Sequence, residues 1–130
     1  MEIIAYTRFV RMSPRKLRLV ANALKKKKIE QVIGRAEFIR KTAAGPILKT
    51  IKSAVANAQN NLKLNAKDLF IKNILVEEGA RYKRMDKGHG ARFNRGIVTK
   101  KTSHIKVILS SLEQNLAKQN NNISKVDNKK

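Results

Sequence analysis

Apolar residues recur along this chain in two rhythms, one of period two and one near three and a half, and the switches between them predict its elements. Residues 2 to 9 alternate, with Ile3, Ala5, Thr7 and Phe9 on one side and Glu2, Ile4, Tyr6 and Arg8 on the other, the pattern of a strand. Ser13 followed by Pro14 is a helix start: a hydroxyl at the cap, then a proline at the first helical position, where its missing N–H costs nothing. Leu17, Val20, Ala21 and Leu24 then form one apolar stripe, leaving Arg15, Lys16, Arg18 and the run Lys25 to Lys28 elsewhere. Ile29, Val32, Ile33 and Ala36 repeat the spacing for a shorter helix ending near Arg40, with Glu30 early, where a carboxylate suits the positive helix end. Gly45 and Pro46 fit the first turn of a third, longer helix carried by Ile47, Ile51, Ala54, Val55, Ala58 and Leu62. Its alanines allow close packing on a sheet, and Asn60, Asn61 and Asn65 mark its exit. Leu69 to Val76 is apolar on both faces, as a central strand should be. Thr102 to Leu109 alternates, Ile105, Val107 and Leu109 inward against His104, Lys106 and Ile108.

Between those last two strands lies RYKRMDKGHGARFNRGIVTKK, Arg81 to Lys101, with eight Lys or Arg, one Asp and three glycines. Connections in compact domains have a median of about 4 to 6 residues, so a charged, Gly-punctuated link of this length is expected to be functional or disordered rather than a turn. If its flanking strands pair antiparallel, the stretch is the distal part of one long hairpin. Gly88 and Gly90 then serve its turn; no GK[ST] or GxGxxG follows a strand and opens a helix, so they do not make a phosphate-cradling loop.

Charge gives this hairpin its purpose. The 130 residues carry 30 Lys and Arg against 9 Asp and Glu, a formal net charge of +21, and such an excess calls for counter-charge from a partner, phosphate above all. Tyr82, Met85 and Phe93 interleave with the arm's cations, and rings and guanidinium planes stack on unpaired bases, so RNA with loops and bulges fits better than a regular duplex. The residues expected to touch RNA are Arg11, Arg15, Lys16, Arg18 and Lys25 on the globule, and Arg81, Lys83, Arg84, Lys87, Arg92, Arg95, Lys100 and Lys101 on the arm. For Arg15, Lys16 and Arg18 the bland alternative is a solvated helix face; for Lys25 to Lys28, a solubilising loop.

Catalysis finds little footing. The close carboxylate pair, Glu77 and Glu78, are sequence neighbours on opposite faces of a strand and cannot act together on one bond. There is no cysteine, and the two histidines, His89 and His104, are far apart, which leaves little for zinc and nothing for disulfides. No apolar run approaches the roughly 20 residues of a membrane span, and the start lacks a signal-peptide core, so a soluble cytoplasmic protein is expected. Against an RNA-organising protein stand two rivals: a free-standing nucleic-acid-binding regulator, which would want a helix-turn-helix and a dimer face, and a small hydrolase.

Four ordered motifs sharpen the choice. Ser13-Pro14-Arg15-Lys16 with Arg18-Leu19-Val20-Ala21, Ser53-Ala54-Val55-Ala56-Asn57-Ala58 with Asn60-Asn61, Val76-Glu77-Glu78-Gly79, and Lys101-Thr102-Ser103-His104-Ile105 resemble, in order and over residues 5 to 109, the bacterial-type large-subunit ribosomal protein family conventionally numbered twenty-two, whose members line the nascent-peptide exit tunnel. The resemblance implies an α+β fold: three helices packed on a small antiparallel three-stranded sheet, with a long protruding β-hairpin. Length and composition predict one RNA-binding domain over residues 1–112, its arm spanning 79–101, followed by a disordered Asn- and Lys-rich tail, 113–130, which lacks aromatics and exceeds the usual end of the family. The implied partners are large-subunit ribosomal RNA, neighbouring ribosomal proteins and, near the hairpin tip, the nascent peptide; no cofactor, metal, membrane or small-molecule substrate is expected. The family's tip usually reads Pro-Arg-Ala-x-Gly-Arg, whereas here the expected tip is Lys87, Gly88, His89, Gly90, Ala91 and Arg92, with a slightly longer spacer before Thr102.

Overall fold

The structure, a computed structural model, describes residues 2–86 and 96–111, apart from the side chain of Glu37. The expected tip, Lys87 to Arg92, the expected RNA-contacting Arg95 and the expected tail lie outside the described residues. In chain order the elements are strand β1 (Glu2–Val10), helices α1 (Pro14–Leu24), α2 (Ile29–Phe38) and α3 (Ala44–Leu62), a single 3-10 turn (Ala66–Asp68), and strands β2 (Leu69–Met85) and β3 (Ile97–Ser111). The sheet is antiparallel throughout, in the order β1-β3-β2. Three helices on one face of a three-stranded sheet, with one hairpin prolonged beyond it, is the α+β architecture expected.

Periodicity dictates the core. Leu17, Val20, Ala21 and Leu24 of α1 are buried, as are Ile29, Val32 and Ala36 of α2 and Ile47, Ile51, Ala54 and Ala58 of α3. They meet the inward residues of the sheet, Ile3 and Ala5, Ile71 and Ile74, and Ile105, Val107 and Leu109. Helix α1 packs on β2, and α3 lies across β1 and β3. One polar relay crosses this layer: Thr50 Oγ1 donates to the Pro46 carbonyl at 2.9 Å, so the Thr7 hydroxyl, 2.9 Å from Thr50 Oγ1, is left to donate to it.

Three expectations need correction. The strand Leu69 to Val76 is an edge, and the central strand is β3. The start of this edge is not bare, because the Lys25 to Lys28 run is no free loop. The Lys26 N–H donates to the Ile71 carbonyl, the Ile71 N–H donates to the Lys27 carbonyl, and Lys28 bridges to Phe70. Strand β3 alternates despite its central place because alternation reports an open face rather than an open edge. Phe9 does not continue the buried side of β1; it is 57% exposed in a left-handed conformation, φ 54°. Ser13 occupies the α1 cap position without a side-chain capping bond. Helix α3 does end among the asparagines, and Lys63 caps it with φ 52°, its N–H donating to the Gln59 carbonyl while the Leu64 N–H donates to the Ala58 carbonyl.

Candidate nucleic-acid interface

The interface begins where the three-stranded sheet narrows to two strands. Strand β1 pairs with β3 as far as Val10 opposite Ser103, while β2 and β3 continue to Met85 opposite Ile97, closed by the Asp86 N–H donating to the Gly96 carbonyl at 2.8 Å. Two bulges flank this point. In β1 the residues Arg8 and Phe9 oppose His104, and in β2 the residues Gly79 and Ala80 oppose Thr102. A bulge bends its strand and increases the local twist, so a pair of them at one level of the central strand re-aims everything beyond.

Each bulge is held by specific bonds. Thr102 Oγ1 donates to the Ala80 carbonyl at 2.7 Å, and Ser103 Oγ donates to the Met12 carbonyl at 2.6 Å, tying the β1–α1 connection to the arm's root. The Phe9 N–H donates to His104 Nδ1 at 3.1 Å, and the His104 ring stacks on Tyr6 with centroids 6.0 Å apart. His104 is thus a packing residue. Tyr6 itself donates to Glu77 and carries the Arg8 guanidinium over its ring, 5.3 Å from the centroid. Desolvation pushes the Tyr6 phenol above its ordinary value, the Glu77 hydrogen bond and charge add to that, and Arg8 partly offsets them.

Gly79 is required by close approach, not by its own backbone angles. A Cβ at this position would stand 2.6 Å from Thr102 Oγ1 and 3.2 Å from the Thr102 carbonyl carbon. Just beyond, Arg81 pairs with Glu78, and its hydrogen bond, followed by its charge, holds the Glu78 carboxyl below the usual carboxylate range. Glu77 and Glu78 are indeed parted, one engaged with Tyr6 and the other with Arg81.

Between the arm's root, the start of α1 and the α2–α3 connection lies a groove of about 1140 Å³. Arg11 and Lys16 line it from the α1 side, Arg40 and Lys41 from the connection, and Arg84, Lys100 and Lys101 from the arm; among the described residues no Asp or Glu lines it. Tyr82, Leu19 and Met12 supply its apolar surface. Five residues predicted from sequence, Arg11, Lys16, Arg84, Lys100 and Lys101, are therefore brought together across a large separation in the chain.

The others are placed differently. Arg15 is exposed on α1 but does not line the groove, and Lys83 stands exposed on the arm. Lys25 caps the far end of α1, where its N–H bonds the Ala21 carbonyl. Arg18 turns toward β2, its Nε and one Nη donating to the Val76 carbonyl at 3.3 and 3.2 Å, which clamps α1 to the strand that becomes the arm. Arg81 is occupied by Glu78. Sequence reasoning missed Arg40, Lys41 and Leu19. The signal was present in the basic Arg40-Lys41-Thr42 link between two helical patterns, which reads as a mere helix end until the fold carries it across to α1.

A family model described as ribosomal protein L22p/L17e matches residues 5–110. The chain is 40% identical over 111 residues to the large ribosomal subunit protein uL22 of Mesoplasma florum, an alignment covering 85% of this chain and 96% of that protein. It is 36% identical over 115 residues to the protein of the same name from Pelotomaculum thermopropionicum, covering 88% and 99%. With that of Aster yellows witches'-broom phytoplasma it shares 44% identity over 110 residues, covering 82% and 81%. The matched region contains the whole described sheet apart from its outer ends, and with it the groove and both bulges.

Proposed function

The chain belongs to the ribosomal protein L22p/L17e family, and from that premise we propose that it is a structural constituent of the large ribosomal subunit, binding and organising its ribosomal RNA. The observation that carries this reading is the groove at the arm's root, where seven cationic side chains from three separate segments converge with no carboxylate among the described lining residues. A site so built has no acid–base pair for chemistry. It has fixed positive charge on a rigid frame, which suits phosphates of a folded RNA and fixes their register.

The arm supplies reach. Paired strands rise about 3.3 Å per residue, so the stretch from Gly79 to Met85 extends about 20 Å beyond the three-stranded sheet before the tip is counted. Its side chains from Arg81 to Met85 are all exposed, as are Ile97 to Lys101 opposite them, so the arm has no protein core of its own to lie on. Within the subunit, ribosomal RNA packs around it, and the tip reaches the wall of the exit tunnel beside the nascent peptide, while the globule meets neighbouring ribosomal proteins. The role is structural and non-enzymatic.

The test is sedimentation. Epitope-tagged full-length chain expressed in bacterial cells should co-sediment with large subunits and with complete ribosomes through a sucrose gradient, and cross-link to large-subunit RNA. Protein that stayed at the top of the gradient, with no ribosomal RNA cross-linked, would overturn the proposal.

A further inference from the structure

The two tyrosines of this chain are in opposite states. Tyr6 is satisfied: its hydroxyl donates to Glu77, its ring stacks with His104, and Arg8 covers it. Tyr82 is 49% exposed, and among the described residues no ring or cation stacks on it. It stands on the wall of the basic groove, with Leu19, 62% exposed, also lining that space. An aromatic ring and a leucine left bare amid seven cations are poorly placed for a solvated surface and well placed for a flat apolar ligand bearing negative charge.

We propose that the groove takes one unpaired nucleotide of RNA, its base stacked on Tyr82 against Leu19 and its flanking phosphates held by Arg11, Lys16 and Lys41. This rests on the RNA-binding reading above and adds to it which part of an RNA the site selects. The size argument favours a nucleotide over a helix: the partly open groove of about 1140 Å³ between α1 and the arm lies just above the range of small-ligand pockets, roughly 300–1,000 Å³. A duplex keeps its base faces covered by stacking, so only a bulged or looped-out base offers a free face to Tyr82. The cations are arranged to suit: they come from three separate segments around the groove, the start of α1, the α2–α3 connection and the arm, so more than one phosphate of a nucleotide's backbone can find a partner. Stacking of this kind tolerates any base, because every base has a π-face.

The experiment uses the full chain and two RNA hairpins identical except for a single bulged 2-aminopurine, followed by fluorescence anisotropy and by the probe's own emission. The bulged RNA should bind more tightly than its fully paired counterpart, and the 2-aminopurine emission should be quenched on binding. Tyr82→Ala should weaken binding of the bulged RNA by about 5- to 100-fold and abolish the quenching, with the paired RNA hardly affected. Tyr82→Phe, which keeps the ring, should restore both. Because Tyr82 is surface-exposed, circular dichroism of Tyr82→Ala should match the parent, and the Phe variant provides the comparison if it does not. Salt-dependent binding of both RNAs with equal affinity, and quenching that survives Tyr82→Ala, would overturn the nucleotide pocket while leaving the RNA-binding reading intact. No salt-dependent binding of either RNA would overturn both.

Discussion

Gly79 shows how a single residue sets the direction of a whole element. It lies in the bulge opposite Thr102, and an added methyl group would meet Thr102 Oγ1 at 2.6 Å while that hydroxyl is holding the Ala80 carbonyl. The Thr102 side chain can rotate away only by breaking its bond, and the backbone carbon at 3.2 Å cannot rotate at all. Overpacking of this kind costs about 1–3 kcal/mol, so Gly79→Ala should lower the urea midpoint by that equivalent and shift the amide resonances of Ala80 and Thr102. Adding Thr102→Ala should recover part of the loss, since the nearest clash goes with the hydroxyl. A Gly79→Ala protein as stable as the parent would show that the bulge is looser than its geometry implies. Glu78, next door, offers a pH test. Arg81 lowers its folded-state pKa, so the pair contributes stability above the carboxyl's unfolded value and loses it as pH falls through the folded one. A carbon-13 titration should find Glu78 below the usual carboxylate range, and Arg81→Gln should return it there; a normal titration in the parent would mean that the pair is open in solution.

The hairpin is one pair of strands with two different fates. Over Glu2 to Val10 the central strand has partners on both sides and a helical layer against its inner face, whereas beyond Ser103 only β2 remains beside it. An isolated two-stranded ribbon is marginal in water, because it buries little apolar surface to offset the entropy of ordering. Amide exchange on the free protein should therefore divide the hairpin at the bulges: slow for Ile105, Val107 and Leu109, fast for Tyr82, Arg84, Val98 and Lys100. Equal protection on both sides of Thr102 would mean that the arm is stable without RNA. The Arg18 clamp on Val76 belongs to the same division, since it fastens α1 to the last residues of β2 before the strand leaves the globule.

At the scale of the whole molecule the formal charge of +21 is the dominant fact, and the groove shows where part of it is concentrated. Each phosphate contact released with its counterion contributes about 0.7–0.9 to the log–log slope of affinity against salt. Replacing Arg11 and Lys16 together by Gln should therefore flatten the slope for a ribosomal RNA fragment by about 1.4–1.8. Arg18→Gln serves as the contrast: its guanidinium is committed to the Val76 carbonyl, so the slope should hold while stability falls by up to about 1 kcal/mol. An unchanged slope in the double variant, or the same flattening in Arg18→Gln, would place the RNA on a different face.

The sequence by itself determined the elements, their buried faces, the pairing of the two strands around the basic stretch and the kind of partner that so much positive charge needs. Each of these is local or compositional. A stripe at helical spacing buries itself wherever the helix lies, and charge adds up regardless of fold. Tertiary structure decided the rest. That β3 is central and β2 an edge depends on which strand β1 joins, and alternation along Thr102 to Leu109 carries no trace of that choice. Phe9 and Gly79 acquire their roles only when a register puts two residues opposite one, at His104 and at Thr102. Among the basic residues, exposure on a helix did not tell Lys16, which lines the groove, from Arg18, which clamps a carbonyl two elements away. Arg40 and Lys41 read as the end of a helix, because the groove they complete is formed by segments that meet only after α1, α3 and the hairpin have packed together. Periodicity tells which face of an element is buried; which cations then share one space is set by long-range contacts that no local pattern encodes.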